Sequence, residues 1–529
     1  MRSSRYVWPL VLLLFGLLAQ SIYSRHIRAP ILTQDSYQYL DAADHFLSGG
    51  EFSTSVVHFD EQVNWGRIPV PFTHFGLGYP LAISGLGRVG IPLATAGYLL
   101  SCFGYLLAIW LLWECCLALN LDFVTSALVC LLWTLNFSAL EAGANVMTEA
   151  LFTALFLTVI TLMARDVRDP ERSGPAVFLL LGAATGAAYV LRQAGLFFVP
   201  VVLLYMGWRS WGNRRVRPWA AAGGGILLVS AAVVIVRNIS LTGSWNGGFT
   251  VGRASPWSLV LAEMAKAPYH LLLGSKTKVH FDFWMGLFLV AAAALVWMVW
   301  RNWRSGSVPS LSASSGGLAW IALITASYTG GVLLAALTTI ASTVGRFLFP
   351  MLPVMLLAIG LVMYLAGKSG RVVAAVLAFS LMAINAESLA LPHSIQQHEL
   401  AAAALEEQVQ PGVSMRQEME RLLPKNATLF ATNGQAMYYL LRQPVVSVIE
   451  SSGRKWDETD VRFLMHRFRA PYFVVFPGAR PLLVPEQDAT PFLHALTAGE
   501  APGWLRIAAR TPGVILYECG ECVMATASK

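Results

Sequence analysis

Charged residues are scarce in this chain of 529 residues. They make up 13% of it, whereas hydrophobic residues make up 56% and the mean hydropathy is +0.57. Soluble domains carry about 25% charged residues, and a soluble globule could not keep this much apolar surface away from water. The composition therefore predicts an integral membrane protein and excludes the ordinary soluble classes.

Several familiar motifs are missing as well. The sequence has no Walker loop, no G-x-S-x-G element, no zinc-ligand framework and no internal repeat. These absences remove ATP-driven transport and serine hydrolysis as leading functions. The formal net charge is +7, but the basic residues lie in short clusters between apolar runs. Such clusters report membrane topology and do not indicate a nucleic-acid partner.

Apolar runs of bilayer length are abundant. We identify about eleven predicted spans, near residues 7–23, 91–113, 123–140, 148–164, 176–191, 195–208, 219–236, 283–300, 317–337, 347–365 and 372–390. Basic residues cluster in alternate loops, which predicts a cytoplasmic N-terminus. The clusters are Arg2 and Arg5; Arg165, Arg168 and Arg172; Arg209, Arg214, Arg215 and Arg217; Arg301 and Arg304; and Lys368 and Arg371. The first run also has features of a signal peptide, but a chain with so many later spans needs no separate export signal.

The polar segments define two domains. Residues 1–392 form the predicted α-helical polytopic membrane domain, with 25–89 as its first extracytoplasmic loop, and 393–529 form a small extracytoplasmic α/β domain. Strands are predicted at 428–432, 445–448, 472–476, 504–509 and 513–519, with a helix at 457–468. A second long outside loop, 238–281, contains a helical patch suited to the outer lipid surface.

The six cysteines fall into two groups. Cys102, Cys115, Cys116 and Cys130 lie in or beside apolar runs and are expected to pack as small residues. Cys519 and Cys522 form a C-x-x-C at the end of the C-terminal domain. A structural disulfide is favoured there over a redox pair or half of a metal site, because the pair follows the final strand and does not begin a helix.

Two acids stand at the predicted outer ends of helices. Asp35 follows the first span at the start of a short helix, and Glu149 begins the fourth span. Either could serve only as a helix cap. A carboxylate at the edge of the hydrocarbon is costly, however, and usually has a function.

Three arginines also stand at the outer ends of spans, against the positive-inside trend. They are Arg192, Arg237 and Arg346. Each alone could extend to lipid headgroups, but together they converge on the face that holds Asp35. Arginine suits paired hydrogen bonds to a phosphate, so these residues are candidate phosphate ligands.

The first outer loop holds further candidates. Tyr37, His58, His74 and Tyr79 lie in or beside it, although a lone loop histidine is more often hydrogen-bonded or solvated than a ligand. Asp41 and Asp44 do not form a D-x-D with Asp35. The loop alone therefore gives weak support for a metal site, and the need for a divalent cation stays open.

The motifs at these positions resemble those of the GT-C glycosyltransferases, in particular the enzymes of glycosyltransferase family 39 type and the aminoarabinose transferase of lipid A. The matching elements are Asp35-Ser36-Tyr37-Gln38-Tyr39, Thr148-Glu149-Ala150-Leu151-Phe152 and Arg346-Phe347-Leu348-Phe349-Pro350, in a resemblance that covers roughly residues 7–390. It implies transfer of a sugar from a polyprenyl-phosphate donor to a lipid, glycan or protein acceptor on the outer side of the cytoplasmic membrane. The resemblance does not imply a definite cofactor.

The resemblance also implies roles for the residues. Asp35 would be the base and Glu149 a second catalytic residue, with Arg346 and either Arg192 or Arg237 at the leaving phosphate. Inversion at the anomeric carbon follows if displacement is a single step. A secondary transporter or lipid flippase is the first alternative, although it should show repeat symmetry and ionisable residues near mid-membrane. A sensor or assembly scaffold is the second, and it would leave Asp35 dispensable.

Overall fold

The computed structural model describes residues 4–57, 66–171, 174–247, 256–274, 281–305, 315–338, 344–389, 396–448, 456–477 and 490–522. The helices of the first part, in chain order, are α1 (Ser4–His26), α2 (Gln34–Gly49), α3 (Gly78–Gly87), α4 (Leu93–Ala118), α5 (Phe123–Thr134), α6 (Phe137–Ala144), α7 (Glu149–Arg168), α8 (Ala176–Leu191), α9 (Val199–Ser210), α10 (Arg217–Thr242), α11 (Trp257–Leu273), α12 (Phe281–Arg304), α13 (Ser315–Thr338), α14 (Val344–Phe347), α15 (Leu352–Leu365) and α16 (Gly367–Leu389). Every predicted apolar run coincides with one or two of them.

Six of these helices, α1, α4, α7, α10, α12 and α13, are long and apolar enough to cross a bilayer. Helices α5 and α6 meet at 54° and could together make a seventh span. Shorter apolar helices lie in α8, in α15 and in α16. The chain is therefore a multi-pass membrane protein. The count of about eleven spans stays a prediction, because the shorter helices do not reach the length of a span alone.

Close helix contacts hold the bundle together. Helix α4 packs along α7, and α8 packs along α10. Gly182 of α8 faces Gly223 of α10 so closely that a Cβ on either would overlap backbone of the opposite helix. Small residues allow such backbone approach in lipid, where van der Waals packing drives helix association.

The C-terminal part is built on a six-stranded sheet, whose strands lie in the order 56–57, 445–447, 429–431, 472–475, 515–519 and 505–510. The strands of the chain are β1 (Ser53–Thr54), β2 (Val56–Val57), β3 (Val70–Pro71), β4 (Gln408–Gln410), β5 (Val413–Ser414), β6 (Leu429–Ala431), β7 (Val445–Ser447), β8 (Tyr472–Val475), β9 (Leu505–Arg510) and β10 (Ile515–Cys519). The helices are α17 (Gln397–Leu405), α18 (Met415–Leu422), α19 (Gly434–Leu441), α20 (Glu458–Arg467) and α21 (Pro491–Ala498). These elements match the predicted strands and the predicted helix at 457–468. Cys519 and Cys522 form a disulfide, as favoured from the sequence.

One edge strand of this sheet comes from the first loop. Val56 and Val57 of β2 pair in parallel with Val445 and Val446 of β7. The pairing buries Val56 and Val57 on opposite faces of the sheet, in two separate apolar clusters. The segment 25–89 is thus shared between the helical bundle and the sheet, which the sequence analysis did not anticipate.

Candidate functional site

Asp35 lies in the first turn of α2, but it is not the helix cap. Thr33 is the N-cap, and its backbone N–H donates to the Ser36 side-chain oxygen at 2.8 Å. The Asp35 carboxylate instead accepts a hydrogen bond from Arg346, with 2.5 Å between Nη2 and Oδ2. The Asp35 side chain is 22% exposed, so a ligand can reach this carboxylate.

Glu149 is the first residue of α7 and is 5% exposed. Its Oε1 accepts a hydrogen bond from Arg346 Nε at 2.7 Å and lies 3.0 Å from Arg192 Nη1. Its Oε2 is buried without a hydrogen-bond partner among the described residues. The carboxylate therefore anchors two arginines and keeps one acceptor atom unused.

Arg346 bridges the two acids through different nitrogen atoms. It lies on the short helix α14, directly before a 3-10 turn at Phe349–Met351 and the proline-containing first turn of α15. The Tyr328 hydroxyl donates to the Phe347 carbonyl at 2.7 Å and so fixes this segment against α13. The Arg346 side chain is 41% exposed, which leaves guanidinium N–H groups available to a ligand.

Arg192 is the second arginine that contacts Glu149. It follows α8 as the C-cap residue and is 8% exposed. Its guanidinium lies 4.8 Å from the centre of the Phe347 ring and 5.9 Å from that of Phe152, and its Nη1 is 3.4 Å from Thr148 Oγ1. Aromatic faces stabilise a guanidinium where water is excluded.

Asp35, Glu149, Arg192 and Arg346, hereafter the four-residue cluster, carry two formal charges of each sign. Buried ion pairs of this kind recover their desolvation cost only with good hydrogen-bond geometry. Here both guanidinium groups contact Glu149, while Asp35 and Arg346 remain partly exposed. The arrangement can present a carboxylate and a cation side by side to one ligand.

Arg237 contacts the backbone of the first loop, whereas Arg192 and Arg346 contact Glu149. Its Nη1 donates to the Phe72 carbonyl at 3.0 Å and its Nη2 to the Phe52 carbonyl at 3.3 Å. These bonds tie α10 to the first loop beside β1 and β3. The structure therefore brings two of the three predicted phosphate-binding arginines together and gives Arg237 contacts with the loop backbone.

The first-loop candidates are placed mostly in packing positions. Tyr37 is buried, with its hydroxyl 2.9 Å from His398 Nδ1 and its ring 5.4 Å from that of Tyr439. The Tyr79 hydroxyl is buried and donates to the Gly97 carbonyl at 2.8 Å. Burial lowers the pKa of the half-buried His74 to about 4, so this imidazole is neutral at physiological pH. His58 lies outside the described residues.

A buried carboxylate on α2 has a clear structural role that the sequence analysis missed. Asp41 is fully buried and accepts hydrogen bonds from Thr54 Oγ1 at 2.7 Å and from the Ser55 N–H at 2.6 Å. His45, one helical turn later, has its Nε2 3.3 Å from Asp41 Oδ1. The hydrogen bonds from Thr54 and Ser55 to Asp41 fasten β1 and β2 to α2. The Asp-x-x-x-His spacing in the sequence indicated the contact between Asp41 and His45.

A cavity lies beside the cluster. Its volume is about 250 Å³. Its lining includes Glu149 and Arg346 together with Glu141, Asn145 and His270. Sequence reasoning missed Glu141 and Asn145, because each lies in or beside an apolar run with no motif around it.

Among the described residues, one group of three potential metal ligands lies together, formed by His466, Cys519 and Cys522. Both of its sulfur atoms belong to the disulfide, so neither is a thiolate that could bind a metal ion. The group is remote in sequence from the four-residue cluster and belongs to the C-terminal part.

Comparison with models of protein families and with curated proteins finds no match. Among solved structures, the chain is similar to ArnT from Cupriavidus metallidurans bound to undecaprenyl phosphate, with 13% identity, a TM-score of 0.50 and coverage of 96% of this chain and 97% of that chain. It is also similar to the archaeal oligosaccharyltransferase AglB from Archaeoglobus fulgidus in complex with an inhibitory peptide and a dolichol-phosphate. That match has 9% identity, a TM-score of 0.51 and coverage of 89% of this chain and 69% of that chain.

Both similar structures are GT-C glycosyltransferases. At such low identity the likeness establishes the fold alone. The chain is a polytopic membrane protein with the GT-C fold, as the motif resemblance implied.

Proposed function

We propose that this protein is a membrane glycosyltransferase that moves a sugar from a polyprenyl-phosphate donor to a lipid, glycan or protein acceptor. The reaction takes place on the outer side of the cytoplasmic membrane, where the positive-inside rule puts the four-residue cluster. The similar structures support a lipid-phosphate donor, because they hold undecaprenyl phosphate and dolichol-phosphate.

The observation that carries the proposal is the bridge made by Arg346 between Asp35 and Glu149. A glycosyl transfer needs a base for the acceptor hydroxyl and a cation for the leaving phosphate. The bridge supplies both within one hydrogen bond of each other. Arg192 adds a second cation, held by Glu149 at 3.0 Å.

The chemistry follows from these positions. The acceptor O–H gives its proton to the Asp35 carboxylate while its oxygen bonds to the anomeric carbon. The bond from that carbon to the donor's phosphate oxygen breaks, and the electron pair leaves on the polyprenyl phosphate. Arg346 and Arg192 stabilise the charge that develops there. A single displacement of this kind inverts the anomeric configuration.

Transfer in detergent tests the proposal. Full-length protein would be incubated with donor lipids that carry a radiolabelled sugar, extracted from labelled cells of the source organism, and with an extract of envelope acceptors. Labelled product is expected without any membrane gradient, and it should disappear in Arg346→Lys. A transporter or flippase would bind the lipid but form no product, since it breaks no glycosidic bond. Absence of product with protein that binds undecaprenyl phosphate would therefore reject the enzyme in favour of that alternative.

A further inference from the structure

The cavity beside Arg346 has an unusual balance of polar groups. Arg346 is its one permanent cation among the described lining residues, while Glu141 and Glu149 both contribute carboxylates. Asn145 adds an amide, and His270 adds an imidazole. The described lining therefore carries two carboxylates and one permanent cation.

Two of the acceptor atoms are buried and unused. Glu149 Oε2 and Asn145 Oδ1 have no hydrogen-bond partner among the described residues. Glu149 is 5% exposed, and a buried acceptor without a donor costs free energy. Both residues line the cavity, so a ligand with N–H or O–H groups would meet their side chains there.

The wall that holds Asn145 is fixed by backbone hydrogen bonds. The Ile31 N–H donates to the Ala144 carbonyl at 3.1 Å, and the Val146 N–H donates to the Ile31 carbonyl at 3.0 Å. The segment on both sides of Asn145 is thus pinned to the residues that follow α1. The backbone that carries the Asn145 amide is therefore fixed beside the cavity.

Resting on the proposed function, we propose that this cavity holds the sugar ring of the donor, and that Glu141 and Asn145 select sugars with hydroxyl or amino groups over sugars with a carboxylate. The anomeric carbon is one bond away from a phosphate oxygen. If Arg346 binds that phosphate, the sugar must occupy space next to Arg346, and this cavity adjoins it. Hydroxyl and ammonium groups can donate to Glu149 Oε2, Asn145 Oδ1 and the Glu141 carboxylate.

A carboxylated sugar would meet the opposite situation. Its charge would lie among two carboxylates, and Arg346 is already shared between Asp35, Glu149 and the donor phosphate. Like charges in a partly desolvated site repel more strongly than in water, and such repulsion is an effective source of specificity. An ammonium group in the same place would be attracted.

Binding to a matched set of donors tests this selection. Four probes would be titrated against full-length protein in detergent: undecaprenyl phosphate itself, and undecaprenyl phosphate linked to glucose, to glucosamine and to glucuronic acid. The three sugars share one ring and differ in charge. We expect the glucosamine lipid to bind at least as tightly as the glucose lipid, and the glucuronic acid lipid to bind about tenfold more weakly, which corresponds to about 1.4 kcal/mol.

Two variants should move this preference in opposite directions. Glu141→Gln removes one carboxylate and should narrow the gap between the glucosamine and glucuronic acid lipids, whereas Asn145→Asp adds a carboxylate and should widen it. Neither should change the affinity for bare undecaprenyl phosphate. Glu263→Gln is the matched control, since Glu263 pairs with Lys266 on α11 and does not line the cavity; it should alter none of the four affinities.

The results separate this proposal from the proposed function. Failure of wild type to bind bare undecaprenyl phosphate would count against the donor itself. If the bare lipid binds, three results would contradict the assignment of the cavity as the sugar site. They are equal affinity for the three sugar lipids, failure of all three to bind, and a preference that neither variant shifts. Each would leave the proposed class of donor intact.

Discussion

Arg346 and Asp35 are 311 positions apart in the chain, yet Nη2 of the arginine lies 2.5 Å from Oδ2 of the aspartate. The same guanidinium holds Glu149 through Nε at 2.7 Å. A phosphate that binds Arg346 would compete with Asp35 for one of these N–H groups. Donor binding would thus leave the Asp35 carboxylate free to accept a proton from the incoming hydroxyl, which couples the two halves of the proposed reaction.

Asp35→Asn should abolish transfer without unfolding the protein. The amide keeps the shape of the side chain but removes its basicity, and loss of a general base costs about a hundred- to ten-thousand-fold in rate. The rate would be measured with purified protein, with thermal unfolding as the check on folding. Asp44→Asn is the matched control, because Asp44 is on the same helix, is 45% exposed and lies 3.7 Å from Arg442. Full turnover by folded Asp35→Asn would remove Asp35 from the catalytic role.

Arg346→Lys should lose about a hundredfold or more in turnover, although it keeps the positive charge. A lysine ammonium cannot present the planar set of N–H groups that joins Asp35 to Glu149. If Arg346 merely extended to lipid headgroups, lysine would serve nearly as well. The measurement is the rate of transfer together with the affinity for undecaprenyl phosphate. Arg88→Lys, in which a cation over the Phe46 ring is replaced, is the control and should retain both. Equal rates for Arg346→Lys and wild type would contradict the assignment.

The sequence predicts those site residues that place a charge at the end of an apolar run. Asp35, Glu149 and Arg346 each stand where an apolar run begins or ends, so the cost of a charge in lipid made them conspicuous. Arg237 satisfied the same criterion but contacts the loop backbone at Phe52 and Phe72. End position alone cannot say which way a long side chain turns.

The fold shows the same limit. The apolar runs and the alternating strands of the tail were visible because period and length identify them. The strand at Val56–Val57 has two residues and pairs with Val445–Val446 far along the chain. So short a strand carries no periodic pattern, and parallel pairing over such a separation depends on how the two parts pack.

The topology gives a third prediction. A single cysteine at position 215, in the exposed turn between α9 and α10, should resist an impermeant thiol reagent in intact cells, because the basic loop is expected in the cytoplasm. A cysteine at exposed position 500, in the C-terminal part, should react. Native Cys102, Cys115, Cys116 and Cys130 are buried and serve as the background. Labelling of position 215 from outside would overturn the orientation and with it the proposed side of the reaction.

The attachment of the first loop should depend on pH through His45. The hydrogen bond with Asp41 raises the pKa of His45 above its usual value of about 6.5, although partial burial acts in the opposite direction, and the charges of Asp41 and Asp44 add to the increase. A pKa raised by folding means that the contribution of His45 is fully present below about pH 6.5 and is lost as the pH rises through the higher folded-state value. The strand β2 should therefore be held most firmly on the acidic side of that interval.

Amide hydrogen exchange can detect this effect at the pairing of β2 with β7. The Val445 N–H donates to the Ser55 carbonyl at 2.8 Å, so its exchange reports whether the loop stays on the sheet. Wild type and His45→Gln would be compared at the same pH, because the chemical exchange rate itself changes with pH. The variant should exchange faster than wild type near pH 6, and the difference should shrink as the pH rises through the raised pKa of His45. His494→Gln, at an exposed position on α21, should match wild type throughout. A difference between wild type and His45→Gln that stays constant over this range would show that His45 holds the loop by packing and neutral hydrogen bonds alone, without the charge pair with Asp41.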